Sequence, residues 1–467
     1  MSRTPILLLR SSAAITGAAL VALALLGPHT PDFPIVTVSR LETQSSPAEL
    51  TLACPPGTID SFAPDGTATT SHQWSSVDDA WTTTQANATI TSRAANGILE
   101  LPSGVVIAGQ SGGEMRGLSL SPCSPASSDQ WLSVGATTVG EDAIIVLANP
   151  ASTPSVVSIT GIGPQGYVNQ PPQQVNVPAH SQVRILPGTW FPDLSRLALH
   201  LQADGPGVAA WMQTSAMDGE RPLGATWTVA TPAATRVVIP GIAQGLTEAR
   251  VRLANTGGQA TTATLTLLGS DGPVELSAGT LDLPAQTVID VPLGAITQGG
   301  ATLVVEADQA LAAHVIVDEA GQPWGQSDEA WGERSVLASA QLTRAFELPS
   351  ASQLHSHVEE VLTQAPVRAS QVDARDGVNA VSAELILTSL TQAVTVTLPG
   401  TSQKTTIAPG TQVTMDAPEI AGTLSADGDI YAAIRVTVET PTGLLRAVWP
   451  LGGRIPLAQV GSVNVNN

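Results

Sequence analysis

The sequence predicts an all-β protein: tandem immunoglobulin-like antiparallel β-sandwiches that follow one N-terminal transmembrane helix. Three observations carry that prediction. Apolar and polar residues alternate with period 2, as in Thr264-Leu265-Thr266-Leu267 and Ile434-Arg435-Val436-Thr437-Val438-Glu439, a pattern that buries one sheet face and wets the other. Punctuation is dense, with 42 Gly and 35 Pro in 467 residues beside a 43% apolar fraction, which suits many short strands and opposes long helices or disorder. Finally, one set of landmarks recurs three times in the same order, in units of about 100 residues, the size of a β-sandwich.

The first element is the apolar segment Ile6 to Gly27, whose uninterrupted part, Ser11 to Gly27, has 17 residues, at the short end for a spanning helix. Arg3 and Arg10 lie on its N-terminal side and the first acid, Asp32, follows it. The positive-inside rule then keeps the N-terminus in the cytoplasm and exports the rest. The small-residue pattern Ala22-Leu23-Ala24 lies within the apolar stretch, where cleavage is disfavoured. The expectation is an uncleaved signal-anchor in the cytoplasmic membrane, single-pass with the bulk of the chain extracytoplasmic; a secreted chain is the alternative. Both cysteines, Cys54 and Cys123, follow this segment. Two cysteines in an exported chain read as one disulfide, and metal ligation lacks partners at zinc spacing.

The recurring landmarks come next. An alternating strand ends in a turn at Ala143-Ile144-Ile145-Val146-Leu147-Ala148-Asn149-Pro150, returns at Ala249-Arg250-Val251-Arg252-Leu253-Ala254-Asn255-Thr256, and returns more weakly at Ala383 to Ser389. A turn feeding a second strand follows at Pro178, Pro284 and Pro409, which lie 31, 31 and 22 residues after Leu147, Leu253 and Leu387. The third landmark is Ala203-Asp204 leading to Ala209-Ala210-Trp211, then Ala307-Asp308 leading to Ala312-Ala313-His314, then Ala426-Asp427 leading to Ala432-Ala433-Ile434. Ala48-Glu49-Leu50-Thr51-Leu52-Ala53-Cys54 opens a more divergent first unit.

These landmarks divide the chain into a cytoplasmic stub and signal-anchor helix at 1–32 and a disulfide-bearing β-sandwich at 40–130. Sandwich repeats follow at 131–233 and 234–335, then a connecting segment at 336–364, in which Ser350 to Leu362 reads as either a short helix or a strand connection, a further repeat at 365–455 and a frayed tail at 456–467. Units that touch only their neighbours imply a rod.

Charge removes one class of partner. The formal net charge is −20, and the 18 Arg and one Lys, Lys404, are scattered without a run of three. A nucleic-acid binder needs a basic face to displace counterions, so nucleic acid is excluded.

No motif for catalysis survives its structural requirements. Gly109-Gln110-Ser111-Gly112-Gly113 has the nucleophile-serine pattern, but Glu114 to Ser121 reads as strand where an elbow needs a helix. His355-Ser356-His357 places two imidazoles on one face only if the segment is a strand, and a third ligand is missing. Asp78-Asp79, Asp318-Glu319, Asp328-Glu329 and Glu359-Glu360 are adjacent in sequence, yet neighbours on a strand point apart and make no glycosidase dyad. Asp427-Gly428-Asp429 and Asp373 to Gly377 lack calcium-loop spacing, and turn-stabilising aspartates are expected there. The expectation is a non-enzyme with no catalytic residues, no metal site and no cofactor. Trp74, Trp81, Trp190, Trp324 and Trp331 lie in loop-like, polar surroundings. Exposed, their faces would stack on sugar rings; buried, they would pack unit junctions.

The single N-terminal anchor combines with Leu52-Ala53-Cys54-Pro55-Pro56-Gly57, Ser121-Pro122-Cys123-Ser124-Pro125, Gln130-Trp131 and the Leu147-Ala148-Asn149-Pro150 strand end. This layout resembles a family of actinobacterial exported, membrane-anchored proteins carrying a domain of unknown function. The nearly Lys-free, Ala- and Arg-rich composition is similar to that of high-GC genomes. The resemblance covers most of the chain and implies a cell-envelope setting; it implies no activity and no catalytic residues. The expected function is therefore a membrane-anchored extracytoplasmic scaffold or interaction module of the cell envelope. Its partners are a cell-envelope protein or polysaccharide, with the cytoplasmic membrane held through the N-terminal helix. The alternative is a glycan-binding or cell-wall-polymer assembly accessory using the tryptophans, and a hydrolase comes third.

Overall fold

The computed structural model describes residues 41–44, 49–60, 71–76, 81–84, 87–93, 103–168, 171–246, 248–274, 276, 279–296, 299–323, 330–364, 377–452 and 460–463. The segment expected to be a signal-anchor lies outside the described residues, and among them no helix is long and apolar enough to cross a membrane. The chain forms two compact units, 47–457 and a smaller one made of 1–46 with 458–467. In the smaller unit Leu41–Gln44 pairs antiparallel with Val460–Val463, so part of the expected frayed tail is a strand.

The larger unit is all-β, with antiparallel ladders throughout and one α-helix among the described residues, Ala351–Gln364. Three stretches of it repeat one arrangement. Leu147 faces Val183 on one side and Ala210 on the other. Leu253 faces Ile289 and Ala313, and Leu387 faces Val413 and Ala432. This register corrects the sequence alignment of the last stretch by one residue. The counterpart of Pro178 and Pro284 is Ala408, not Pro409, and the counterpart of Ala209-Ala210-Trp211 is Tyr431-Ala432-Ala433.

The same turn chemistry closes all three. Ser181, Thr287 and Thr411 each donate a hydroxyl to the carbonyl three residues back, at Pro178, Pro284 and Ala408. The residue between them is left-handed in each case, at His180 (φ 50°), Gln286 (φ 51°) and Gly410 (φ 70°). Only the last stretch uses the residue that adopts this conformation without strain. The Leu-Ala-Asn ending has a physical reason too. Buried Asn149 donates to the carbonyls of Thr153 and Val177 and accepts from the Ala151 amide. Asn255 does the same for Gln259, Leu283, Pro284 and Gly257. Each side chain satisfies backbone groups that the turn leaves unpaired.

In residues 129–229 two sheets share one core, with Leu132, Ile159 and Leu199 of one sheet meeting Ile145, Leu147 and Met212 of the other. In the next two stretches single long strands, Ala301–Pro323 and Gly422–Thr440, take part in both ladder sets. In the earlier stretch the same path breaks between Ala198–Ala203 and Ala209–Asp218, where Gly205 and Gly207 turn it at positive φ.

Two expectations are corrected. The segment 336–364 does more than connect. Thr343–Leu348 is a strand, and the helix buries Leu354, Val358, Val361 and Leu362 in the core of residues 343–451. That i, i+4, i+7, i+8 stripe was present in the sequence. Nor do the stretches form a rod. Counting the divergent stretch before residue 130 as the first of four, its Trp74, Val105, Ile107, Leu118 and Leu120 sit in the same hydrophobic cluster as Phe346, the helix and Trp449, so the first stretch closes on the last.

Candidate functional site

The repeated strand explains how the stretches join. Its leucine face fills the stretch's own core, and its other face, expected to be wet, is also buried. In Glu141–Asn149, Ile144 and Val146 pack against Ala53 and Ile59 of the first stretch. In Ala249–Asn255 the equivalent positions are Arg250 and Arg252, which face the second stretch; in Ala380–Ser389 they are Glu384 and Ile386. The alternation is intact, but a neighbouring stretch replaces water.

Arg250 and Arg252 line a cleft of about 120 Å³ with Gly135, Glu141, Ser195, Asp290 and Arg334. Its charges are paired throughout. Arg252 grips Asp290 through two nitrogens, at 2.7 and 2.9 Å, and donates to the Gly135 carbonyl. Arg250 reaches Asp318 at 2.5 Å and Asp290 at 3.5 Å. Arg334 bonds Asp318 at 2.7 Å and both oxygens of Glu141, at 2.5 and 3.1 Å. Burial pushes the Asp318 carboxyl up, but Arg334 and Arg250 outweigh it and hold the carboxyl below its ordinary range. Three guanidinium groups and three carboxylates thus link the second and third stretches.

Beside this lattice, His314 is fully buried. A carbonyl only accepts, so Nε2–H donates to Val229 O at 3.3 Å and Nδ1 accepts from the Ser133 hydroxyl at 2.7 Å. Burial, with a smaller contribution from Arg252, pushes its pKa down to about 4, against the Val229 bond. It is a neutral pin between stretches. Arg435 plays a comparable part between the third and fourth stretches, bonding Glu384 at 2.8 Å and the Gly241 carbonyl at 3.3 Å.

The first stretch docks through its disulfide region. Cys54 and Cys123 are bonded as expected. The Cys54 carbonyl accepts from Gln182 at 3.1 Å, and the carbonyl of Pro122, next to Cys123, accepts from Trp211 Nε1 at 3.0 Å. Gln213 makes a two-bond amide pair with Ile59, both at 2.7 Å.

Of the tryptophans named from sequence, those whose side chains are described, Trp74, Trp190 and Trp331, are not brought together by these contacts. Trp74 is buried, edge-on to Trp449 with ring centroids 5.7 Å apart, and offers no free face to a sugar. Trp190 is half-buried against Phe191, and Trp331 is half-buried on the Ala330–Leu337 strand. Trp324 and the side chain of Trp81 lie outside the described residues. Asp78-Asp79, Asp328-Glu329 and residues 373–376 lie outside the described residues too; other motifs set aside for chemistry have structural partners. Ser111 sits on a turn between two strands, its hydroxyl 3.5 Å from the Leu362 carbonyl. Asp427 accepts the Thr395 amide at 2.7 Å, as Asp204 accepts that of Val156. His355 and His357 lie on a helix, where i and i+2 do not share a face. His357 stacks on His72 with ring centroids 3.6 Å apart, too close for two in-plane nitrogens to converge on one ion. Among the described residues no group of three His, Cys, Asp or Glu is placed to hold a metal.

Sequence reading missed the centre. The last strands Gly117–Pro122, Arg221–Val229, Ala330–Leu337 and Gly443–Leu451 pack together, and near the start of each stands a glycine: Gly117, Gly224, Gly332 and Gly443. A Cβ on Gly117 would lie 2.0 Å from the Ala225 carbonyl oxygen, and one on Gly224 would lie 2.0 Å from the Arg334 amide nitrogen. The backbones approach closely enough that only glycine fits. The signal was legible, since these glycines recur at intervals of 107, 108 and 111 residues.

A family model described as a family of unknown function, DUF5719, matches residues 80–399, more than two thirds of the chain. No curated protein and no solved structure matches it.

Proposed function

This chain belongs to the DUF5719 family of unknown function, and from that premise we propose that it is a non-enzymatic, membrane-anchored extracytoplasmic scaffold or interaction module of the cell envelope, built from immunoglobulin-like sandwiches. The observation that carries the reading is the charge lattice of Glu141, Arg250, Arg252, Asp290, Asp318 and Arg334. Its ionic groups are spent on each other, which supports holding geometry over chemistry. The cleft this lattice lines, about 120 Å³, falls below the roughly 300–1,000 Å³ of small-molecule sites. The disulfide favours an oxidising compartment, in keeping with the export segment, and the facing sheets of residues 129–229 support the sandwich reading.

Polysaccharide binding is the second reading. Trp190 favours it, standing half-exposed four residues from Leu186, whose side chain is also half-exposed.

Cross-linking of the full chain in its own host, paired with sedimentation of the detergent-solubilised chain on envelope polymer, tests both. Capture of the same membrane proteins by wild type and Trp190→Ala, without polymer binding, supports the scaffold. Salt-resistant polymer binding that Trp190→Ala loses replaces it with the second reading, and the absence of both overturns the proposal.

A further inference from the structure

The four last strands meet around one carboxyl group. Glu333 follows Gly332 on Ala330–Leu337 and is 2% exposed. Its Oε1 accepts the backbone amide of Arg446, on the last strand of the fourth stretch, at 2.5 Å. Its Oε2 is buried without a hydrogen-bond partner. The first stretch reaches the same place through wholly buried Arg116, which donates to the carbonyl of Gly332 at 3.0 Å and to the Thr440 hydroxyl at 3.4 Å. The second stretch closes it from the side, with Gly224 against the backbone of Glu333 and Arg334. One side chain therefore sits where all four stretches touch.

The charged groups around it are few. Across the ladder from Glu333 stands Glu319, at the same register position of Ala301–Pro323; its carboxylate is engaged by the Arg446 guanidinium. Arg446 and Arg116 favour a charged Glu333, while burial and Glu319 oppose it. On Arg221–Val229 the ionisable group is Arg221, paired with Asp218 at 2.8 Å. On Glu333's own strand, Arg334 is taken up by Glu141 and Asp318.

We propose that Glu333 is a proton-operated keystone: with its proton it holds the last strand of the fourth stretch against that of the third, and on losing it the hub loosens. A neutral carboxyl keeps the amide bond and leaves one hydroxyl unpaired, a smaller penalty than an unpaired buried charge. A carboxylate in the same place leaves an oxygen desolvated and unpaired, beside the like charge of Glu319. Movement of Gly443–Leu451 away from Ala330–Leu337 admits water to that oxygen and relieves both penalties. Burial pushes the Glu333 pKa up to about 8, with Glu319 adding to it and the Arg446 amide, Arg116 and Arg446 opposing, which sets the change just above neutral pH. The device stands on the geometry of the hub and holds whether or not the envelope reading does.

Hydrogen exchange of the full chain, corrected for the intrinsic effect of pH, tests it at pH 6.5 and 9. Protection in peptides covering 330–337 and 443–451 is expected to fall at least tenfold in the wild type and to stay at its pH 6.5 level in Glu333→Gln. Equal loss in both proteins, or no loss in the wild type, overturns the proposal. Infrared spectroscopy of the wild type decides independently if the variant fails to fold. A protonated-carboxyl band present at pH 6.5 and gone at pH 9 supports the keystone, and its absence at pH 6.5 sinks it.

Discussion

His314 stands in the third stretch where Trp211 stands in the second, and each sends a ring N–H to the stretch before it, five residues past that stretch's recurring glycine. Trp211 donates to Pro122 O and His314 to Val229 O. Trp211 and His314 follow Ala210 and Ala313, which face Leu147 and Leu253. The fourth stretch has Ala433 there, packed with Leu337 and Val448 without a polar bond. One position thus serves as the pin of each junction, filled by an indole, an imidazole or a methyl group.

Removing the pin should cost more than its hydrogen bonds. His314→Ala leaves the Ser133 hydroxyl and the Val229 carbonyl buried and opens a cavity, so a loss of about 3 kcal/mol is expected. His314→Phe opens no cavity but loses the bonds and should lose roughly half as much. Urea unfolding with the disulfide intact gives both numbers as midpoint shifts at unchanged slope.

Stability should be greatest in mildly acidic solution. Above pH 6.5, Glu333 in the native state keeps a proton that the unfolded chain, with an ordinary value of 4.5, has lost, so stability falls as pH rises, by roughly 2 kcal/mol up to pH 8. Between 4.5 and 6.5 the unfolded chain protonates His314 and the native state does not; the surplus and the deficit cancel, leaving a plateau. Below 4.5 the His314 deficit acts alone down to about pH 4, and stability falls with pH. Unfolding free energies across this range check the profile, and a maximum at pH 8 would contradict it.

The hub glycines should tolerate no side chain. Gly224→Ala forces a Cβ into the Arg334 backbone and is expected to cost at least about 3 kcal/mol or to abolish folding. Gly258, with nothing within 4 Å of where a Cβ would stand, should accept Ala within about 1 kcal/mol. Thermal melts of the two variants side by side provide the comparison.

The buried and exposed arginine pairs should differ by several-fold. Arg252→Ala strands Asp290 and the Gly135 carbonyl in a largely buried site and should cost about 3 kcal/mol. Arg236 and Glu306, each half-exposed, form a surface pair worth under about 1 kcal/mol. High salt should weaken only the second pair measurably.

Breaking the disulfide should loosen a junction as well as a stretch. Cys54→Ser with Cys123→Ser opens a loop of sequence separation 69, worth about 4 kcal/mol on the chain-entropy view. The carbonyls that receive Gln182 and Trp211 belong to this bridge and its neighbour. Exchange of the Trp211 indole hydrogen should therefore accelerate in the double variant, while that of Trp449 should change less.

Much of this was legible in the chain. Alternation gave the strands, the landmarks around Leu147, Leu253 and Leu387 gave the repeat, and two cysteines gave one bridge. Turn chemistry was legible too, although Pro409 drew the eye one residue past Ala408. The candidate site was harder to see. Arg250 and Arg252 read as the wet face of a strand because alternation separates two faces without naming what covers the second.

By itself the sequence determined what is local: which residues alternate, where Gly, Pro and Asn turn the chain, and which two thiols have only each other. Only the tertiary structure decided what is shared between stretches. Trp74 became core, Arg252 became a junction residue and Glu333 became the centre of four strands because partners hundreds of residues away removed the water around them. Periodicity is a property of neighbours along the chain, whereas desolvation depends on every surface that closes over a side chain.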